Sequence, residues 1–368
     1  MRVLFTGGGT AGHINPAIAM ANFIKEREPE SEILFIGTEN GMEKTLVPKQ
    51  GYDIEFIKIH GFERKLSKRN IKTVCEIFTG IKNAKRIIKK FNPDVVMGTG
   101  GYVTGPVLYA AHLLKIPSLV HESNAFPGVT VRILARCTDI VALSMKEAAE
   151  FLPKCKRIEI TGNPIRPSIL KENQFDAKRK LGLSDKKTVL IFGGSLGADK
   201  INSVVSDWIS EIADRNKYEI IMSTGKNNQY SKVMERFAQN GIDIEKYKEI
   251  RVQEYIYDMD LALNAADLII ARSGSSISEM TALGKPAVLI PSPNVAGDHQ
   301  RHNAMAFKKA NGAIVIEDSE LNKENLSEAV ESILGDEKRL AEMKKGSQSI
   351  GIRDAADKIY ELLKEIGR

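Results

Sequence analysis

The sequence predicts an α/β protein built as two similar halves, each a parallel sheet covered by helices on both faces. Three observations carry that expectation. Short apolar runs of strand composition alternate with amphipathic helical stretches, the pattern of strand–helix–strand crossovers. The pattern begins again near Val189. Each half also opens alike, with a buried strand, a glycine loop and a helix, at Arg2–His13 and at Val189–Ala198. A chain of 368 residues is long for one core and comfortable for two domains, expected here at 1–162 and 163–340 with a helical segment at 341–368. Two such halves facing each other would make a cleft into which both glycine loops point.

The first strand, Arg2-Val3-Leu4-Phe5, runs into Thr6-Gly7-Gly8-Gly9-Thr10-Ala11-Gly12-His13, after which Ala17, Ile18, Met20, Ala21 and Ile24 recur at helical spacing. This arrangement aims free backbone N–H groups at an anion. Gly7, Gly9 and Gly12 also satisfy the dinucleotide fingerprint, but the second strand, Ile33–Ile36, ends in Gly37-Thr38 and Glu39 arrives late for a ribose. A tight turn packing a helix on a sheet is the bland alternative. His13, a titratable group at the helix entrance, raises the loop above both readings.

The first half continues with a helix at Met42–Gln50, a strand at Ile54–Ile59 and a long amphipathic helix at Asn70–Phe91. Strands follow at Asp94–Met97, Ser118–His121, Asp139–Ala142 and Arg157–Thr161. Ligands of open α/β sheets bind beyond the carboxyl ends of strands, which here are Gly7–His13, Gly98–Tyr102 and His121–Asn124. Gly162-Asn163-Pro164-Ile165-Arg166-Pro167 reads as a domain link. In the second half, strands are expected at Val189–Phe192, Tyr218–Ser223, Asp267–Ala271, Ala287–Ile290 and Ala313–Ile316. Helices are expected at Asp176–Leu183, through Val204 to Ile209, at Tyr230–Gln239, Asp258–Ala265, Asp298–Ala310, Glu324–Leu334 and Ile352–Ile366, and from Ser276 to Gly284.

Composition is that of an ordinary globular chain, 42% hydrophobic and 27% charged. No apolar run approaches the ~20 residues of a membrane span, and no leader segment is expected because the chain enters a strand at once. Cys75, Cys137 and Cys155 form no C-x-x-C pair, so a reduced compartment and no structural metal are expected. Charge is local. Lys58–Phe91 holds eleven Lys or Arg against Glu63 and Glu76, while the whole chain is only +6. That asymmetry points to a local anionic partner. With no aromatic stacking surface beside the basic stretch, nucleic acid is not the expected partner.

Paired glycine loops suit a diphosphate substrate. No Walker lysine follows either loop, which disfavours nucleoside triphosphate hydrolysis. Asp258-Met259-Asp260 has the D-x-D form of metal-dependent sugar transferases, yet it starts an amphipathic helix and reads as a cap. His299 and His302 lie three apart without a third ligand, so no metal site is expected.

The motifs Thr6–His13, Gly98–Pro106, His121–Asn124, Gly162–Arg166, Gly193–Ala198 and Arg272–Glu279 occur in this order across nearly the whole chain. Together they resemble the bacterial transferases that add N-acetylglucosamine to the undecaprenyl-diphospho-muramoyl-pentapeptide precursor of peptidoglycan. The resemblance implies two Rossmann-like domains of GT-B type, an active site in the cleft and a last helix that crosses back to the first domain. It implies inverting transfer from UDP-N-acetylglucosamine to the muramoyl 4-hydroxyl, without a cofactor, at the cytoplasmic face of the cell membrane, and association with other cell-wall synthesis proteins. The implied donor site is Thr10, Ala11, Gly12, Asn124, Arg166, Ser195, Ile256, Arg272, Ser275, Glu279 and Gln300, and the implied acceptor site is Gly9, Gly100, Gly101 and Tyr102. In that assignment Ser195 meets the diphosphate from a helix start, Ile256 offers main-chain groups to uracil and Glu279 holds the ribose hydroxyls. Ala11 stands where the family often has Gly, and Arg272–Glu279 is one residue shorter than usual.

Inverting displacement needs a base for the acceptor hydroxyl. His13 is the first candidate and Glu122 the rival, with a positioning role for His13 as the third reading. On the basic helix, Lys82, Lys85, Arg86 and Lys89, beside Phe62 and Leu66, would meet anionic headgroups while the other stripe packs inward. The rival functions are a related transferase with another nucleotide sugar or lipid acceptor, a non-catalytic nucleotide-sugar- or lipid-binding subunit, and a dinucleotide oxidoreductase.

Overall fold

The computed structural model describes residues 1–61 and 68–368, the side chains of 68–72 and 74 excepted. The chain forms two compact units, Met1–Ile165 with Asp354–Arg368, and Arg166–Arg353.

The first unit runs β1 (Arg2–Thr6), α1 (Ala11–Arg27), β2 (Glu32–Gly37), α2 (Glu43–Lys49), β3 (Asp53–Phe56), α3 (Lys68–Phe91), β4 (Val95–Gly98), α4 (Thr104–Leu113), β5 (Ser118–Glu122), α5 (Val129–Leu134), β6 (Ile140–Leu143) and β7 (Ile158–Ile160). All seven strands are parallel, in the order β3-β2-β1-β4-β5-β6-β7. Strand order reverses between β1 and β4, so their carboxyl ends flank the switch point where such sheets bind ligands. The central strands are apolar on both sides because helices cover both faces. Leu4, Val96 and Val120 pack with Ile88, Val107 and Leu108 on one face. Val3, Phe5 and Met97 pack with Ile14, Met20 and Ile24 on the other.

The second unit runs α6 (Gln174–Leu181), β8 (Thr188–Phe192), α7 (Asp199–Ile212), β9 (Glu219–Ser223), α8 (Gln229–Gln239), β10 (Ile250–Gln253), α9 (Met259–Ala265), β11 (Leu268–Ala271), α10 (Ile277–Ala282), β12 (Ala287–Leu289), α11 (His299–Lys309), β13 (Ala313–Val315), α12 (Lys323–Leu334) and α13 (Glu337–Ser349). Its six parallel strands repeat the order, β10-β9-β8-β11-β12-β13, around a core that includes Trp208, Ile270 and Ile333. The switch point therefore falls between β8 and β11.

The chain's last helix, α14 (Ala355–Ile366), belongs to the first unit. Ile359, Tyr360 and Leu363 join the core beneath α1. Glu28 anchors it, accepting from the Tyr360 hydroxyl at 2.5 Å and pairing with Lys364 at 3.5 Å. The Tyr360 bond, with the N-terminal ammonium and Ser31, holds the Glu28 carboxyl down to about 2. The segment 341–368 is thus divided: its portion up to Arg353 stays with the second unit, where Leu340 and Met343 enter that unit's core.

Candidate active site

In the first unit the loops after β1 and β4 interlock at the switch point. The Gly8 N–H donates to the Gly100 carbonyl at 3.3 Å, and the Thr99 hydroxyl donates to the His13 carbonyl at 2.6 Å. Gly9, Gly100 and Gly101 have φ of +86°, +105° and +84°, a region open chiefly to glycine. A Cβ on Gly101 would lie 2.2 Å from the Gly8 carbonyl oxygen, so these loops touch backbone to backbone. The Tyr102 ring covers Gly9 and Gly61. Thr10 stands at the N-cap of α1 but makes no side-chain cap bond, and Ala11 and Gly12 open the helix half-buried.

His13 is half-buried on the first turn of α1. Its Nδ1 lies 3.2 Å from the Gly8 carbonyl oxygen and 3.4 Å from the Thr10 hydroxyl. A carbonyl only accepts, so the neutral ring carries its proton on Nδ1 and leaves Nε2 a free lone pair. Burial pushes its pKa below the ordinary value, against the Gly8 bond and the charge of Glu43. The ring lies against Gly100, where a Cβ would fall 2.8 Å from His13 Cδ2.

Glu122, at the end of β5, is buried. Its Oε1 accepts from the Asn124 N–H and side-chain amide, both at 2.9 Å, and its Oε2 from the Gly128 N–H at 2.8 Å. These bonds give it the work of shaping the 122–128 loop and fix Asn124 beside it. His121, fully buried, donates from Nε2 to the Gly162 carbonyl at 3.0 Å, and burial drops its pKa to about 4.

Sequence reasoning missed Glu43. It is 1% exposed on α2 and accepts from the Thr38 N–H and hydroxyl at 2.9 and 2.7 Å and from the Gly9 N–H at 3.1 Å. The one available signal was the clustering of Gly37 and Gly41 around it.

In the second unit the Gly193–Gly197 loop follows β8. Ser195 is not at a helix start: it sits in a turn closed by the Gly197 N–H to the Gly194 carbonyl at 2.9 Å, and α7 begins only at Asp199. In that loop Gly197 packs backbone on backbone against Gly225, and a Cβ on Gly197 would meet the Thr224 carbonyl at 2.2 Å. Arg166 pairs with Asp260 at 2.7 Å and Glu279 at 3.3 Å. This corrects the reading of the D-x-D stretch: Asp258 stands at the N-cap of α9 but its side chain makes no cap bond, and Asp260 is an arginine partner. Burial raises the Glu279 pKa, with Arg166 opposing. Ile256 is buried, in the loop after β10.

Arg272 is tied down. It donates to the carbonyls of Ile290 and Pro291, each at 3.0 Å, and pairs with Asp318 at 2.6 Å. Gln300 accepts the Ser292 N–H through Oε1 at 2.9 Å, and its amide nitrogen faces Gly274. Ser275, half-buried, precedes α10. Among the described residues no group of three His, Cys, Asp or Glu is placed to hold a metal ion.

On α3, Ala84, Ile87 and Ile88 face the core, Lys82, Arg86 and Lys89 are exposed, and Lys85 is half-buried. Phe78 is 70% exposed on the same helix. Phe62 and Leu66 lie outside the described residues. No helix among the described residues is long and apolar enough to cross a membrane.

Residues 3–143 match the glycosyltransferase family 28 N-terminal domain and residues 188–359 its C-terminal domain. A protein of Acetivibrio thermocellus named UDP-N-acetylglucosamine–N-acetylmuramyl-(pentapeptide) pyrophosphoryl-undecaprenol N-acetylglucosamine transferase is 46% identical over 368 residues, covering 100% of this chain and 98% of that one. A protein of the same name from Caldanaerobacter subterraneus is 43% identical, covering 100% of both chains. The crystal structure of Acinetobacter baumannii MurG superposes with a TM-score of 0.79 at 27% identity, covering 99% of each chain. A Listeria monocytogenes structure described as a UDP-N-acetylglucosamine 2-epimerase, at 17% identity and a TM-score of 0.70, shares the fold.

Proposed function

The chain belongs to glycosyltransferase family 28, and from that premise we propose that it moves N-acetylglucosamine from UDP-N-acetylglucosamine to the 4-hydroxyl of undecaprenyl-diphospho-N-acetylmuramoyl-pentapeptide. The observation that carries this reading is identity of 43–46% along the whole length of relatives bearing that activity in their names. A transferase for another nucleotide sugar has no comparable support.

The chemistry assigned to the residues is a single displacement. His13 Nε2 takes the proton of the acceptor hydroxyl as its oxygen bonds to the sugar's anomeric carbon, while the bond to the diphosphate breaks and its electron pair leaves with UDP. Support for this choice over Glu122 is the free Nε2 lone pair of His13, set against a Glu122 carboxylate already taking three donors. The first unit also supplies Thr10, Ala11, Gly12 and Asn124 toward the donor and Gly9, Gly100, Gly101 and Tyr102 toward the acceptor. In the second unit Arg166 is the cation for the diphosphate, Ser195 a hydroxyl beside it, Ile256 the uracil contact and Glu279 the ribose acceptor, with Ser275 and Gln300 completing the nucleoside site. Arg272 acts by bracing β11 against Asp318. The exposed cations of α3 and Phe78 make the protein peripheral on an anionic membrane surface, at its cytoplasmic face.

The test is transfer itself. Labelled UDP-N-acetylglucosamine and the lipid-linked muramoyl-pentapeptide should yield a lipid-linked disaccharide, and UDP-glucose should not replace the donor.

A further inference from the structure

Glu43 is a buried carboxylate with no cation paired to it among the described residues, an expensive arrangement that the fold has gone out of its way to accommodate. A Cβ on Gly8, Gly37 or Gly41 would fall 2.5, 2.5 or 2.0 Å from Glu43 atoms. Three side chains are absent so that one carboxylate fits. Its partners are all donors, the Thr38 N–H and hydroxyl on Oε1 and the Gly9 N–H on Oε2, which only an acceptor-only group satisfies.

The Gly9 N–H and the Gly8 carbonyl are the two ends of one peptide group. Oε2 of Glu43 sits on the first and His13 Nδ1 on the second. A carboxylate, a peptide plane and an imidazole therefore stand in series, and hydrogen bonds in such a chain polarise one another. We propose that Glu43 is a positioning residue for His13, acting through the Gly8–Gly9 peptide to hold the imidazole in its Nδ1–H form and to stabilise the imidazolium that forms when Nε2 takes the acceptor proton. This rests on the reading of His13 as the base. The groups facing His13 are the Thr10 hydroxyl and Gly8 carbonyl of its own loop, Gly100 from the loop after β4, and Glu43 as the charged member.

Three variants of the full chain test it by steady-state transfer across pH, each checked for folding by circular dichroism and thermal melting. Glu43→Gln should lower kcat by roughly tenfold or more with donor KM within about twofold. It should also move the acid limb of the profile to lower pH by roughly half a unit or more, because the charge that supports the imidazolium is gone. Gly41→Ala keeps the charge but displaces the carboxylate, and Gly41 is not among the positive-φ glycines, so its backbone tolerates Ala. It should lower kcat by roughly fivefold at unchanged donor KM, and it decides the matter if Glu43→Gln does not fold. His13→Ala separates the levels. Wild-type turnover in His13→Ala overturns the base assignment and the relay with it. Loss of turnover there, with wild-type kcat in folded Glu43→Gln or Gly41→Ala, overturns the relay alone.

Discussion

His13 Nδ1 lies 3.2 Å from the carbonyl oxygen of Gly8, five residues back along the same loop. That contact decides which nitrogen of the ring is free, because a carbonyl can only accept. The glycine loop thus sets the protonation state of a side chain as well as the path of the backbone.

Replacing His13 by Ala should lower turnover by two or more decades while donor affinity stays nearly intact, as measured by steady-state kinetics and calorimetric titration. The base works when neutral. Since burial places its pKa below the ordinary 6.5, turnover should be flat around neutrality and fall only as pH drops through that lowered value. A limb above 6.5 would contradict the assignment.

Gly100→Ala should damage both activity and stability. The residue has φ +105°, and the new Cβ would press on the His13 ring at 2.8 Å. Backbone strain alone is worth about 1–3 kcal/mol, readable as a lower denaturant midpoint, with turnover falling further because the base is displaced.

Much of this was legible in the sequence. The central strands of both sheets are apolar on both faces, β1 and β8 run straight into glycine loops, and the repeated strand–loop–helix opening announced two similar halves. Strand β10 escaped because it sits at a sheet edge and brings only Ile250 and the partly buried Val252 to the core. Helix α13 was anticipated only as part of the helical segment at 341–368, its start at Glu337 missed, because its thirteen residues turn only Leu340, Met343 and Ser347 inward, too sparse a stripe for periodicity to delimit. Among site residues, His13 could be read from its place at a helix entrance. Glu43 could not, since its bond to Gly9 spans 34 residues and depends on which glycines surround it in space. Ser195 was misplaced because the turn Gly194–Gly197 delays the helix, and the clamp on Arg272 is set by Asp318, 46 positions away.

The two arginines of the second unit should separate cleanly. Arg166→Ala should raise the donor KM at least about tenfold with a smaller loss of stability than Arg272→Ala, since the Arg166 side chain is 48% exposed against 14% for Arg272. Arg272→Ala should leave donor KM nearly unchanged but cost roughly 3 kcal/mol in the unfolding of the second unit, because Asp318 and two carbonyls lose their partner in a mostly buried setting. Kinetics and urea denaturation of both variants check the contrast.

Changing Lys82, Lys85, Arg86 and Lys89 together to Glu should abolish pelleting with anionic lipid vesicles. Each cation near such a surface is worth about 1 kcal/mol, and the buried stripe Ala84, Ile87 and Ile88 leaves the fold intact. Unchanged pelleting would remove the membrane role of this helix.

The central claim is a direct displacement at the anomeric carbon by an acceptor hydroxyl that His13 deprotonates. Its most direct test is the anomeric proton of the product made from UDP-N-acetylglucosamine, whose sugar is α-linked, and the lipid-linked muramoyl-pentapeptide. A β-linked N-acetylglucosamine, seen by its large NMR coupling and missing from the His13→Ala reaction, is the result this account predicts; an α-linked product would contradict it.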